Sequence, residues 1–152
     1  MRDGLTLLIE TVADKVQELW PLLERHREEL ATDKARMILA PDVDRYTAME
    51  AAGVMFAIVA RDNGRAVGYS VNFVSQHLHY CAMRYAQNDV LYLDPEYRSG
   101  SLGQRLIDAT EEAARDRECD MIIWHAKPNT ALDRILPRRG YRVQDIMYSK
   151  GL

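Results

Sequence analysis

A chain of 152 residues, 47% hydrophobic and 28% charged, is long enough to bury one sizeable core, so a single domain over residues 1–152 is expected. A net charge of −3 lacks the basic excess of a nucleic-acid-binding surface, and the two cysteines, Cys81 and Cys119, lack the spacing of a disulfide framework or zinc site. Reduced thiols fit an intracellular compartment. The start "MRDGLTLLIETVADK" carries Asp3 and has no small-residue cleavage site, and the longest apolar run, "GVMFAIVA", is too short to cross a bilayer. The expectation is a cytoplasmic protein with neither nucleic acid nor membrane as partner.

In chain order, a short strand is predicted near Leu5–Ile9. A helix follows, with Val12, Val16, Leu19 and Leu23 at helical spacing and Pro21 expected to kink or restart it. On this helix His26 and Glu29 lie one turn apart; they read as a surface pair, the alternative being the wall of an acceptor groove. A second helix covers about Asp42 to Ala52 and stops at Gly53. "VMFAIVARDNGRAVGYSVNFV" is a hairpin about an Asn-Gly turn. "NDVLYLDP" is a strand ended by Pro95, and a helix runs from about Ser101 to Arg117. "CDMIIWHA" reads as a buried strand, "NTALDRILPRRG" as a short helix, and "YRVQDIMYSK" as a final strand. The fold class expected is α/β of the mixed α+β kind: a central, mostly antiparallel mixed sheet flanked by helices. No GxGxxG opens an early βαβ unit, so a dinucleotide fold of that type fits poorly.

The segment "DPEYRSGSLGQRLI", residues 94–107, concentrates the chemistry. Unpaired N–H groups at a helix start attract phosphate, glycines let an anion approach the backbone, and Arg98 adds a charged fork of donors. The competing reading is a turn followed by a capping box made by Ser101 and Gln104.

Strand "DVLYLDPEYR", loop, amphipathic helix, strand "MIIWHA" and then "NTALDRILPRRGY" resemble the GNAT superfamily of acetyl-CoA-dependent N-acetyltransferases. The loop signature of that family, Arg/Gln-x-x-Gly-x-Gly/Ala, is matched by Arg98, Ser101 and Gly103, with serine at the first glycine. Asn129 and the pair Gly140–Tyr141 match the later element. A narrower resemblance is to short GNAT-like proteins of phage genomes, which share a similar "HLHY" to "PEYR" segment. The resemblance implies acetyl-CoA as cosubstrate, an amine as acceptor, and a possible homodimer. It implies a cosubstrate site made of Tyr92, Leu93, Arg98, Ser99, Gly100, Ser101, Leu102, Gly103, Gln104, Asn129 and Arg134. Arg134, Arg138, Arg139 and Arg142 otherwise read as a solvated face.

For the chemistry, an amine of pKa ~10.4 is neutral in only about one molecule in a few thousand at pH 7, a deficit of about 4–5 kcal/mol that a base offsets. The resemblance places a backbone N–H at Leu93 or its neighbour beside the developing oxyanion. Asp89, sharing a strand face with Leu91 and Leu93, is the first candidate base. His77 and His79, two apart and expected on one strand face, are the second, with His79 placed in the catalytic set and no metal assigned. The tyrosine that the family uses as acid, seven residues past the asparagine, is here Leu136; Tyr141, Tyr148 or water would replace it. Trp20, Trp124 and Cys119 read as core. Two further readings stay open: a non-catalytic acetyl-CoA sensor, and a protein-interaction module whose Ser101 merely caps a helix.

Overall fold

The computed structural model describes residues 4–152; Asp3 of the N-terminal reading lies outside them. In chain order the elements are β1 (Leu5–Glu10), α1 (Val16–Leu30, preceded by a 3-10 turn at Ala13–Lys15), α2 (Val43–Ala51), β2 (Met55–Asp62) and β3 (Arg65–Gln76). Then come β4 (Arg84–Leu93), a 3-10 turn at Pro95–Tyr97, α3 (Leu102–Arg115), β5 (Met121–Trp124) and α4 (Ala131–Arg138). The strands form one sheet in the order β1-β2-β3-β4-β5, antiparallel except for the parallel β4–β5 pair. This is the expected mixed, mostly antiparallel sheet flanked by helices. No helix among the described residues is long and apolar enough to cross a membrane.

Alternation along the strands sorts the core onto two faces. Met55, Ala57, Val59, Tyr69 and Tyr92 pack with Leu19 and Leu22 of α1 and with Tyr46 and Met49 of α2. Phe56, Ile58, Val74 and Ala86 pack with Leu106, Ala113 and Ala114 of α3 on the other face. Asn63 (φ 49°) and Gly64 (φ 86°) make the β2–β3 turn with both central residues left-handed, as a two-residue hairpin requires.

Two expectations fail and one is narrowed. Helix α1 runs through Pro21 without a restart. Leu19 and Leu22, both buried, each contribute about 2 kcal/mol, enough to offset the roughly 3 kcal/mol that a mid-helix proline costs. The final strand is absent: residues 141–150 have no regular structure, and Val143, Ile146, Met147 and Tyr148 are exposed. Strand propensity expresses packing against neighbours, and no described element pairs with this segment. Third, β3 ends at Gln76, so His77 and His79 stand in the β3–β4 loop and share no strand face.

Candidate functional site

The site begins with an irregularity in β4. Val71 pairs with Val90 but Asn72 with Asn88, so Asp89 is the extra residue of a bulge. Asn88 anchors it: its Nδ2 donates to the carbonyls of Val71 (3.3 Å) and Val90 (3.2 Å) and to Asn72 Oδ1 (2.9 Å). Thr110 of α3 joins this buried network by donating to Ser70 Oγ at 2.9 Å. Beyond the bulge the sheet divides. β5 pairs with β4 only over Tyr85–Asn88, whereas β3 follows β4 to Leu93. Residues 89–93 therefore carry one open backbone edge where β4 and the chain after β5 part, the cleft of the candidate site. The network was not anticipated from sequence, although polar residues inside "SVNFV" and "QNDV" were its available signal.

The loop after β4 continues from this open edge. Gly100 has φ +112°, a conformation that side chains rarely adopt. Ser101 is in the right-handed helical region with no side-chain cap bond, so the expected capping box does not form. A capping side chain needs an extended N-cap backbone to reach back to the N–H two or three residues on. Among the described residues no protein acceptor meets the N–H groups of residues 99–104; the first bond of α3 is Arg105 N–H to Ser101 O, at 2.9 Å. A Cβ on Gly103 would meet only Leu93 Cδ2, at 3.8 Å. Packing therefore does not demand this glycine. An anchored loop, free N–H groups and the positive end of a helix make an anion site.

The Arg98 side chain is engaged within the protein. Its Nε donates to Leu93 O (2.8 Å), and its two terminal nitrogens donate to Glu29 Oε1 and Oε2, each at 2.7 Å. The guanidinium also lies over the Tyr92 ring, 5.3 Å from its centre. One turn earlier on α1, Arg25 pairs with buried Asp94 at 3.0 Å. These two contacts hold α1 across the end of β4. Hydrogen bonding from Arg98 lowers the Glu29 pKa.

His26 fills the space between them, against the expectation of a surface pair with Glu29. Its Nδ1 lies 2.7 Å from the Tyr69 hydroxyl, and its ring stacks on Tyr92 at 5.0 Å and 16°. Burial pushes its pKa down and raises those of Tyr69 and Tyr92. Tyr69 went unnoticed in the sequence because it looks like any aromatic strand residue.

The other candidates divide by location. Asp89 sits on the bulge, off the face shared by Leu91 and Leu93, which pack toward α3. Asp89 is exposed at the surface of the sheet, yet desolvation by the groups around it raises its carboxyl pKa, opposed by His125, while its charge reaches Tyr46 of α2. His77 Nδ1 accepts the N–H groups of His79 (3.1 Å) and Tyr80 (3.2 Å), and His79 is exposed. Tyr141 donates to Glu111 Oε1 at 2.8 Å and packs edge-on against Trp124; burial pushes its pKa to about 12. That hydroxyl lies ~14 Å along α3 from Leu102 at the helical rise, well away from the loop. Leu136 is buried, and Tyr148 is exposed. Asn129 (φ 66°) donates its N–H to Asp133 Oδ2 (2.8 Å) and accepts from Arg134 (2.9 Å), closing the start of α4. Arg139 leaves the expected solvated face to pair with Asp108 and Glu111. Trp20 and Trp124 are half-buried, as is Cys119, whose thiol pKa is raised by burial. No group of three metal-ligating side chains occurs among the described residues.

The family model described as Acetyltransferase (GNAT) family matches residues 15–141, most of the chain. The protein belongs to that family. Solved structures agree on the fold. A ribosomal-protein-alanine N-acetyltransferase from Brucella melitensis biovar Abortus 2308 superposes with a TM-score of 0.71 at 18% identity, covering 97% of this chain and 98% of the other. An aminoglycoside acetyltransferase from an uncultured soil metagenomic sample, crystallised with trehalose, superposes with a TM-score of 0.77 at 16% identity, covering 99% and 97%. No curated protein sequence matches the chain.

Proposed function

We propose that this protein transfers the acetyl group of acetyl-CoA to a primary amine. The observation that carries the reading is the cleft beside β4, with an open strand edge on one wall and uncapped N–H groups at its end. The N–H groups of Ser99, Gly100, Ser101, Leu102, Gly103 and Gln104 would hold the pyrophosphate. The β4 edge at Tyr92 and Leu93 would lie along the thioester arm, and Asn129 and Arg134 would flank its far end. Bound there, acetyl-CoA supplies an activated acyl group; the protein supplies position and proton transfer. Asp89, with its raised pKa and its place at the cleft, takes the proton of the amine. His79 and Tyr141 serve less well, one in an exposed loop and the other bonded to Glu111.

The two structural relatives are described as acting on a ribosomal-protein alanine and on aminoglycosides. The acceptor panel for this protein is therefore N-terminal peptides, aminoglycosides, polyamines and lysine peptides. We further place the chain, as one domain, in a reducing compartment, where both unpaired cysteines remain thiols. Calorimetry with acetyl-CoA tests the site: Gly103→Glu should abolish measurable binding, and unchanged affinity would refute the assignment. A second reading, an acetyl-CoA sensor without turnover, is favoured by buried Leu136 and by the engaged Tyr141 hydroxyl. Tight binding without acetylation of any amine in the panel would select it.

A further inference from the structure

The pair His26–Tyr69 lies outside the loop and strand edge assigned to the cosubstrate, and its geometry is more specific than packing needs. Tyr69 is 1% exposed, and its hydroxyl has one hydrogen-bond partner among the described residues, His26 Nδ1 at 2.7 Å. A buried phenol has a single proton to place. It donates that proton to Nδ1, and a neutral imidazole accepting at Nδ1 carries its own proton on Nε2. Nε2 has no protein partner among the described residues, yet it is not a sealed orphan, so it reaches solvent, and Lys127 of the segment after β5 acts on the same ring. Stacking on Tyr92 fixes the ring plane.

Resting on the acetyl-transfer reading, we infer that His26 is a substrate-contacting residue that presents Nε2–H as a hydrogen-bond donor to an oxygen atom in the cleft, with Tyr69 positioning it by fixing the tautomer. The groups facing the ring are Tyr69 from β3, Tyr92 from β4, Glu29 from α1, Arg98 from the loop and Lys127 from the segment after β5. Burial, seconded by Lys127 and Arg98, keeps the ring neutral against the pull of Glu29. An N–H donor selects an oxygen lone pair and has none to offer an ammonium; Lys127 adds to that preference, while the charge of Arg98 is paired with Glu29. That oxygen belongs either to the acceptor, as a hydroxyl or carbonyl near the amine, or to the thioester carbonyl. The arrangement argues against His26 as the base. To free a lone pair on Nε2, Tyr69 would have to turn its proton away from Nδ1 and strand it in the core.

The tautomer is tested by NMR on imidazole-15N-labelled full-length protein. At pH above the histidine range, His26 should show a protonated Nε2 and a bare Nδ1; a protonated Nδ1 overturns the inference. In Tyr69→Phe the Nδ1-protonated form should appear. Kinetics with acetyl-CoA then separate donor from base. His26→Gln keeps an N–H donor and should hold kcat/KM within ~10-fold, while His26→Leu should lose roughly 100-fold, the scale of one deleted oxyanion-type donor. Equal losses in both variants, with disappearance of an acidic pH limb, would show a base and overturn it. Ethanolamine and propylamine as acceptors identify the oxygen. A loss confined to ethanolamine assigns it to the acceptor, and equal losses assign it to the thioester. If the wild type acetylates no amine, the acetyl-transfer reading fails by itself, and the tautomer alone then decides for or against the role of His26.

Discussion

Arg98 shows how one side chain can serve two demands. The family signature assigns it to phosphate, while the fold commits its guanidinium to Glu29 and its Nε to Leu93 O. The pair is more than one-third exposed on both sides, so its worth is that of a surface ion pair with good geometry. A double-mutant cycle of Glu29→Gln and Arg98→Gln should give a coupling of about 0.5–1 kcal/mol at neutral pH by urea unfolding. Arg98 holds the Glu29 pKa below the usual 4.5. Its contribution is therefore complete above pH 4.5 and is lost as pH falls through the lowered value. A coupling that persists in acid would mean that the contact is not ionic. The two roles of Arg98 also compete. If Glu29→Gln tightens acetyl-CoA binding in calorimetry, the arginine reaches the phosphates once released. If affinity is unchanged or weaker, it acts as the clamp on α1.

At the scale of elements, the start of α3 separates a structural glycine from a ligand-facing one. Gly100 needs its left-handed backbone, whereas Gly103 lies in ordinary helix with open space where a Cβ would go. Gly100→Ala should destabilise the fold by about 1 kcal/mol or more, since alanine is strained at that φ. Gly103→Ala should leave the unfolding midpoint unchanged or raise it by up to about 1 kcal/mol through helix propensity. The same change should weaken acetyl-CoA binding at least ~10-fold by crowding the N–H groups, the loss of about 1.4 kcal/mol of binding free energy. Intact affinity would remove Gly103 from the site. This contrast was half legible. "RSGSLG" before an apolar stripe announces a glycine turn at a helix start, but nothing in it says that Ser101 takes helical angles and leaves its hydroxyl out of a cap. Local chemistry likewise located the Asn-Gly hairpin, whose turn is set by two adjacent residues. It failed for 141–150, where β propensity has no strand edge to act on.

For the whole molecule, what the sequence could not reveal is what joins distant segments. Most of the element order followed from periodicity and turn residues, and the resemblance to the GNAT superfamily pointed to the fold, although the expected final strand does not form. The acceptor side of the cleft depends on α1 meeting β3 and β4, through His26 with Tyr69 and Glu29 with Arg98, contacts 43 and 69 residues apart. No local pattern signals such contacts. Asp89 belongs to this scale, because its environment is made by the bulge, by Tyr46 of α2 and by His125 beyond β5. Desolvation raises its pKa above the ordinary 3.8, so between those two values the folded state binds more protons than the unfolded chain. The sign of the linkage follows: stability declines as pH rises from 3.8 through the raised value, and at neutral pH the ionised Asp89 is a cost to the fold, a small one because the residue is exposed and screened by solvent. Asp89→Asn should therefore unfold at higher urea than the wild type at pH 7 and show no such advantage below pH 3.8. As the base, the same carboxylate works only when ionised, so kcat/KM should rise with pH through the raised value. Asp89→Asn should lower it roughly 10²–10⁴-fold and abolish that limb. A variant that gains stability while losing turnover marks a residue kept for chemistry. If turnover survives the substitution, the proton leaves the amine by another route, and Asp89 is only a carboxylate on a bulge of the sheet.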